Sequence, residues 1–459
     1  MKGQERRFEW ERSSWGKSCE YSGRSRSGLR CLAVLIIAYA ILGVAMMVQG
    51  QVTTGNMTIF NTMFSDRKGS FPGNDQEGLL SQTYCRSTYF CVLGMQAILQ
   101  VEGECCMDQY IRPGNLWLDT NGKPIQAHGF SVFYNEQDNL WYWYGENKEK
   151  TDGKGFIWHW GVRLYTSQDL CNWEDRGLII PPQPEDLTSP LHPTYCMDRP
   201  HIIYCTKTGK YVAWLKIMAG VESQFMSVLT AERFEGPYTF VRKIYKPLDM
   251  DSGDFCLYAD SDGRAYIWFE RPHFQLICAT LTDDYTAVTG EYSVHFDGLR
   301  PPLTREAPTY FERGGKRYLF TSGTSSYFPN PSRVCMFTDP HGRYTDLGDP
   351  FVGDKRGTSF YSQITSVIRI PGTDRYIACA DRWMPQRIFR AIAKQALWGM
   401  KLVFRNYQPD TAPKKAMPLP EVEQRHRENT SISRYVWLPI EWEGDKPVIR
   451  WQKKWKPSG

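Results

Sequence analysis

The spacing of apolar and polar residues indicates β-structure from about residue 110 onward. There, short apolar and aromatic runs alternate with polar residues and are separated by turns rich in Gly or Asp, which is typical of β-hairpins. Helical periodicity is nearly absent after this point. One unit, an apolar strand followed by a polar turn and an aromatic-rich strand, occurs five times. The copies are GFSVFYNEQDNLWYWYGEN, PHIIYCTKTGKYVAWLKI, FCLYADSDGRAYIWFER, PTYFERGGKRYLFTSG and SVIRIPGTDRYIACADRW.

These units recur with a long and nearly constant period. Aligned on Tyr134, Tyr204, Tyr258, Phe311 and Ile370, they are 53 to 70 residues apart. Each of the first four is followed by a further strand pair, and YVWLPIEWEGDKPVIRWQ near the C-terminus completes the fifth. About four strands in each of five repeats predict an all-β fold, a five-bladed β-propeller over residues 110–455. Two stacked β-sandwiches are the alternative, but they do not explain the period.

The repeat also places polar residues in equivalent positions. One polar residue precedes or begins the first strand of each unit: His128, Asp198, Asp254, Glu306 and Gln363. The innermost strands of a propeller surround its axis, so these five side chains are expected to converge on one funnel. Glu146 ends a second strand and is expected to face the same funnel.

Each acidic residue also has a simpler interpretation. Glu306 alone is a solvated loop carboxylate, Asp254 caps the turn DSGD, and Glu146 is a rim charge paired with Lys148. The fivefold register favours a functional interpretation, above all for Glu306. Two carboxylates that flank a sugar act as acid and base in glycoside hydrolysis. Burial and a negative neighbour such as Asp254 would keep Glu306 protonated.

Composition agrees with a sugar ligand. The chain of 459 residues has 14% aromatic residues, 23% charged residues and a net charge of +5. Since no basic stripe recurs after the N-terminal region, nucleic acid is not expected as a partner. Tyr327 and Trp383 are the predicted aromatic walls of the site, although packing between blades would also explain such rings.

The 13 Cys show no metal-binding spacing, so no metal ligands and no cofactor are predicted, and a structural metal ion stays an open question. Seven are scattered through strand-like runs and are expected to be small buried residues: Cys171, Cys196, Cys205, Cys256, Cys278, Cys335 and Cys379. Four cluster earlier and could form disulfides in an oxidising compartment: Cys85, Cys91, Cys105 and Cys106.

Three segments precede the repeats. Residues 1–30 are basic, and residues 31–50 contain the uncharged apolar run CLAVLIIAYAILGVAMMV at 31–48. That run is interpreted as a signal peptide or a single membrane anchor, which predicts an extracytoplasmic location for the rest of the chain. Residues 51–109 are a Cys-containing linker or cap with no assigned role.

Six blocks occur in the order found in glycoside hydrolase family 43: QAHGFSVFY…WYWYGENK, DRPHIIYCTKTGKYVAW, SGDFCLYADSDGRAYIWF, REAPTYFERGGKRYLFTSGTSSYFPN, SQITSVIRIPG and ADRW. Residues 110–455 resemble that family, and most closely its exo-β-1,3-galactanase subgroup. The resemblance implies a five-bladed propeller, an inverting mechanism and release of galactose from the ends of β-1,3-galactan, the arabinogalactan backbone. The protein is expected to act as a monomer.

The resemblance also implies roles for single residues. Glu306 in REAP matches the general acid, and Asp254 in SGD matches the residue that orients and tunes it. Gln363 in SQ matches a Gln near the attacking water, and Glu146 matches an acidic residue in the GE block. Thr324 and Tyr327 fall at substrate-contact positions.

Two positions depart from the wider pattern. Most of the family has, at the position of His128 in AHG, an Asp that serves as base. The galactanase subgroup departs from the family in the same way as this chain. Asp198 in DRP is one methylene shorter than the Glu common in that subgroup. A neutral Gln amide is a very weak base, so Gln363 is expected to orient water, and Glu146 or Asp198 to accept the proton. The alternatives are an α-L-arabinofuranosidase, a β-xylosidase or a non-catalytic glycan-binding propeller.

Overall fold

The computed structural model describes residues 5–7 and 109–457, except 220–222, 420–422 and 424. Most of the predicted basic region, the apolar segment 31–50 and the linker 51–109 therefore lie outside the described residues. No helix within the described part of the chain is long and apolar enough to cross a membrane.

The described residues form five sheets, one for each repeat, and the four main strands of each are antiparallel. Blade I contains β2 (His128–Asn135), β3 (Leu140–Glu146), β4 (Val162–Ser167) and β5 (Glu174–Ile180). Blade II contains β6 (Cys196–Cys205), β7 (Lys210–Met218), β8 (Gln224–Ala231) and β9 (Thr239–Tyr245). Blade III contains β10 (Phe255–Ala259), β11 (Ala265–Arg271), β12 (Gln275–Leu281) and β13 (Val288–His295), with β1 (Glu5–Arg7) parallel to β13 at its edge. The all-β five-bladed propeller is thus confirmed.

The last two blades follow the same plan. Blade IV contains β14 (Arg305–Arg313), β15 (Lys316–Gly323), β16 (Arg333–Phe337) and β17 (Thr345–Gly348). Blade V contains β19 (Gln363–Arg369), β20 (Tyr376–Arg382), β21 (Arg434–Glu443) and β22 (Lys446–Arg450), and β18 (Phe351–Val352) runs parallel to β22. The predicted C-terminal completion of the fifth unit is confirmed.

Within the described residues, one α-helix interrupts this plan. Helix α1 (Arg387–Val403) lies in the long connection between β20 and β21. Short 3₁₀ turns occur at Pro247–Asp249, Phe404–Asn406 and Thr430–Ile432. The sequence prediction, which considered only the repeating strands, missed this connection.

The two ends of the domain meet and close the ring. Ile111 N donates to Trp455 O at 2.9 Å, and Trp455 N donates back to Ile111 O at 3.1 Å. Gly114 N donates to Tyr435 O in blade V at 2.6 Å. Residues before the first blade are therefore fixed to the last blade, which ties together the strands that would otherwise be the first and last of an open array.

The core consists of the apolar faces between adjacent blades. Six of the seven scattered cysteines are buried, as predicted: Cys196, Cys205, Cys256, Cys278, Cys335 and Cys379. Cys171 is only partly buried, contrary to the prediction. The side chains that pack between blades I and V are aromatic. Trp143 is 0% exposed, and its ring centroid lies 4.6 Å from Tyr435 and 4.8 Å from Trp437.

We expect Trp143→Ala to lower the free energy of unfolding by about 3–5 kcal/mol, because it leaves a cavity among rings that have no space to collapse. Trp398 on α1 is 64% exposed, so Trp398→Ala should change it by only about 0.5 kcal/mol. Urea denaturation of both variants measures the difference. Equal losses would contradict the assignment of the aromatic core.

Candidate active site

The leading polar residues of the five repeats lie at one end of the innermost strands, each beside a residue of the neighbouring strand. The cross-strand pairs are His128 with Glu146, Asp198 with Lys216, Glu306 with Ser322, and Gln363 with Asp381. In blade III, Glu270 N donates to Asp254 O at 2.8 Å. The site is therefore built from two rows of residues, the first strand of each blade supplying one and the second strand the other.

A β-bulge directly follows the leading residue in three of the blades, and in blade V it comes one residue later, between Ile364 and Ser366. The register shifts between His128 and Ser131, between Asp198 and His201, and between Glu306 and Thr309. An extra residue bends a strand and redirects the side chain beside it. In blade I the bulge requires glycine: Gly129 has φ +53°, and a Cβ there would lie 2.1 Å from Glu146 Oε1.

Arg199 connects three blades through one side chain and one backbone amide. Its Nε lies 2.8 Å from Asp254 Oδ2, its Nη2 donates to Gln363 Oε1 at 2.5 Å, and its N donates to Glu146 Oε1 at 2.8 Å. The residue has φ +47°, a conformation that costs energy for a side chain other than glycine. Arg199 therefore fixes the relative positions of Asp254, Gln363 and Glu146.

Two lysines neutralise the acidic residues of blades I to III. Lys216 Nζ lies 3.0 Å from Asp254 Oδ1 and 3.5 Å from Asp198 Oδ2. Lys148 Nζ lies 2.8 Å from Glu146 Oε2, so the alternative interpretation of Glu146 found the correct partner, although both residues are buried and not at a rim. Asp198 also accepts from Trp158 Nε1 at 2.8 Å. The carboxylate of Asp198 is thus already bound by other side chains of the protein.

The electrostatics separate Glu306 from Asp254. Burial raises the pKa of Glu306 well above its ordinary value, and the negative charges of Glu270 and Asp254 raise it further, against the opposing effect of Lys216 and Arg199. Burial alone would also raise the pKa of Asp254, but Arg199 and Lys216 hold it at about 2. Glu306 therefore keeps its proton to a higher pH than Asp254, which is the order that a general acid and its tuning residue require.

Gln363 is held by four contacts in the centre of this group. Its Oε1 accepts from Arg199 and, at 3.0 Å, from Trp383 Nε1. Its Nε2 donates to Ser322 Oγ at 2.8 Å and to Glu306 Oε1 at 3.3 Å. The sequence places Gln363 across the sugar from Glu306, whereas in the structure the two side chains are in direct contact.

Three of the predicted site residues have little exposed surface. His128 is 0% exposed, with Nδ1 3.0 Å from Asp381 Oδ1 and Nε2 3.4 Å from the Tyr435 hydroxyl. Thr324 is buried, and its hydroxyl contacts Thr304 Oγ1 at 2.7 Å. Glu146 is buried as well, and burial raises its pKa to about 7 despite Lys148. Direct contact of these residues with a sugar stays a prediction.

The aromatic residues lie beside Gln363. A pocket there is lined in part by Ser322, Tyr327, Tyr361, Gln363, Asp381 and Trp383. The Tyr327 ring centroid lies 6.2 Å from Trp383 and 6.4 Å from Trp158. The structure thus brings together the two aromatic residues predicted as walls, with Trp158 beside Tyr327. No group of His, Cys, Asp or Glu within the described chain is arranged to hold a metal ion.

Sequence reasoning missed Lys216, Glu270 and Asp381. Each stands at or near the end of the second strand of its unit, opposite the leading residue. Glu146 was found at the equivalent place in blade I, so the same register applied to every unit would have identified the others. The register would not have identified Arg199, because its contacts with three other blades depend on the β-bulge.

Comparison with known proteins identifies the family. The model of glycosyl hydrolases family 43 matches residues 124–376. A search of curated protein sequences found no match. Among solved structures, a family 43 β-1,3-galactosidase, BT0265, is 26% identical with a TM-score of 0.60, over 76% of this chain and 64% of that one. The chain thus spans less than two thirds of that protein.

Two further structures are similar. A family 43 β-1,3-galactosidase, BT3683, solved with galactodeoxynojirimycin, is 25% identical with a TM-score of 0.59, over 75% of this chain and 100% of that one. An exo-β-1,3-galactanase from Clostridium thermocellum is 24% identical with a TM-score of 0.58, over 76% and 67% of the two chains. The family model covers more than half of the chain, and the protein therefore belongs to glycosyl hydrolase family 43.

Proposed function

We propose that the protein is an inverting, exo-acting glycoside hydrolase that releases galactose from β-1,3-galactan. The observation that carries this proposal is the cluster in which Gln363 contacts both Glu306 and Trp383, while Arg199 joins Gln363 to Asp254. The substrate is proposed by analogy with the β-1,3-galactosidases of similar structure, one of which was solved with galactodeoxynojirimycin.

In the proposed reaction, Glu306 donates its proton to the glycosidic oxygen as the bond to the leaving sugar breaks. A water molecule attacks the anomeric carbon from the opposite face. Orientation of that water by the Gln363 amide requires the bound sugar to separate Gln363 Nε2 from Glu306. The proton of that water passes to a basic group. Glu146, with a pKa of about 7, has a suitable affinity for a proton at neutral pH. Asp254 stays ionised throughout and keeps Glu306 protonated between turnovers.

We further propose an extracytoplasmic, monomeric enzyme that requires no cofactor. The location rests on the apolar segment 31–48 and the basic residues before it. Whether that segment anchors the protein or is removed does not alter the chemistry proposed for the propeller.

The test is a product analysis on linear β-1,3-, β-1,4- and β-1,6-galactans and on arabinoxylan. We expect galactose from the β-1,3-galactan alone, and NMR during the first turnovers should show the α-anomer, because inversion of a β-linkage gives α-galactose. Release of arabinose or xylose would indicate another family 43 activity. Binding of galactan oligosaccharides without any product would indicate a glycan-binding propeller.

A further inference from the structure

The connection between β20 and β21 leaves blade V, contacts the other blades in turn and returns to blade V. We refer to residues 384–419, 423 and 425–433 as the collar. It begins after Trp383, beside the end of β20 where Asp381 pairs with Gln363, so it lies on the face of the propeller that carries the candidate site. Within the other blades, the loops on this face are those that join the second strand to the third and one blade to the next.

The first half of the collar contacts blades IV and III. The ring centroids of Phe389 and Phe328 lie 5.4 Å apart, on the loop after β15. Arg405 O accepts from the Arg300 guanidinium, before β14. Thr411 O accepts from Arg271 Nη2 at 2.8 Å, at the end of β11. This half therefore passes over the site-face loops of blade IV and then of blade III.

The second half contacts blades II and I and then closes. Lys414 N donates to Asp249 O at 2.6 Å, in the connection from blade II to blade III, and Leu419 is buried in the apolar cluster between blades I and II. His426 N donates to Gly155 O at 3.0 Å in the loop after β3. Ser433 Oγ donates to Trp383 O at 2.6 Å, which joins the end of the collar to its start.

The collar also contacts the site directly. The His426 ring centroid lies 4.8 Å from that of Trp158, whose Nε1 donates to Asp198. His426 Nε2 lies 2.7 Å from Thr194 O and is buried. Its position is thus fixed by the propeller, and in turn it supports one of the aromatic walls of the pocket.

A segment that contacts the five blades in the order V, IV, III, II, I and V surrounds the propeller axis. An internal stretch of polysaccharide lying over the site would have to cross that ring twice, whereas a chain end can enter along the axis. We propose that the collar restricts the enzyme to the ends of its substrate and is thus the determinant of exo action. This inference rests on the proposed galactanase function.

The test requires a substrate without usable ends. Periodate cleaves vicinal diols, which the terminal galactose of β-1,3-galactan has and its internal 3-linked residues lack. Periodate followed by borohydride therefore opens the terminal ring and leaves the internal bonds intact. We expect the wild type to release galactose from the untreated polymer and to leave the end-blocked polymer uncut.

Two variants open the collar. In the first, residues 387–428 are replaced by a short Gly-Ser linker. In the second, Arg271→Ala and Arg300→Ala remove two surface anchors of the collar. The matched control is Arg313→Ala, which removes an ion pair with Asp374 in the turns at the opposite end of the blades. Hydrolysis of β-1,3-galactobiose reports that each variant has folded.

We expect the folded linker variant to release oligosaccharides from the end-blocked polymer at least about tenfold above the background seen with the wild type, and the double variant to release them measurably above that background. The Arg313→Ala control should behave as the wild type does. If the linker variant has lost activity on galactobiose, it has not folded, and the result of the double variant on the end-blocked polymer is used instead. The inference is overturned if the deciding variant still leaves the blocked polymer uncut. Failure of the wild type on untreated galactan would instead overturn the proposed function.

Discussion

Replacement of Glu306 by Gln should lower kcat/KM on β-1,3-galactan by about 10²–10⁴, the usual contribution of a general acid. The fold should be unaffected for a specific reason. Burial and the neighbouring charges raise the pKa of Glu306 and so favour its neutral form, and Gln is a neutral group of the same shape. The amide oxygen can still accept from Gln363 Nε2, the contact that Glu306 Oε1 makes.

A substrate whose leaving group needs no proton distinguishes a general acid from a residue with another role in catalysis. Fluoride departs without protonation, so Glu306→Gln should retain most of its activity on β-galactosyl fluoride. The wild-type rate on galactan should fall with rising pH as Glu306 ionises, and that alkaline limb should be absent from the variant. The measurements are steady-state kinetics on both substrates across the pH range.

Glu312 provides the matched control. It lies on the same strand, β14, and its side chain is 40% exposed beside Arg317. Glu312→Gln should therefore retain wild-type kinetics on both substrates. Undiminished galactose release by Glu306→Gln would remove Glu306 from the role of acid, and an equal loss in both variants would show that the assay reports general damage to blade IV.

The sequence predicted the propeller because its repeating unit is local. Each hairpin is specified by apolar alternation and a turn within about twenty residues, and five copies leave few other architectures. The same register predicted which residues lead the inner strands. Glu306, Asp254 and Gln363 are brought together in the structure for this reason, since equivalent positions in a closed ring must face one axis.

Contacts between different blades could not be predicted from the repeat in the same way. Lys216 pairs with Asp254 across a blade boundary, and no spacing along the chain indicates that neighbour. The direct contact of Gln363 with Glu306 arises from side-chain orientation, which a repeat does not specify. The collar has no repeat at all, so its path around the axis is fixed by single contacts such as Lys414 N with Asp249 O.

Replacement of Asp254 by Asn should impair both catalysis and stability. Asp254 is one of the negative charges that raise the pKa of Glu306. Its removal should lower that pKa, so Glu306 loses its proton at a lower pH and the alkaline limb of kcat/KM moves toward acid. We expect a shift of about one pH unit and a loss of about 10² in kcat/KM at the wild-type optimum.

The stability effect has its own pH dependence. The variant leaves Arg199 and Lys216 buried without their common counter-ion, which should cost about 3–5 kcal/mol of unfolding free energy. Because Arg199 and Lys216 depress the folded pKa of Asp254 from 3.8 to about 2, its ionisation stabilises the wild type above pH 4 and ceases to do so as the pH falls through 2. The difference between wild type and variant should therefore be complete at neutral pH and shrink in acid.

Asp374→Asn separates this effect from the loss of an ordinary ion pair. Asp374 contacts Arg313 at the opposite end of the blades, and its side chain is 60% exposed. An exposed pair contributes about 0–1 kcal/mol, so this variant should retain the wild-type pH profile and nearly all of the stability. Urea denaturation at several pH values, combined with kinetics on β-1,3-galactan, measures both effects. An Asp254→Asn enzyme with an unmoved alkaline limb would show that Asp254 does not tune Glu306, whatever its contribution to the fold.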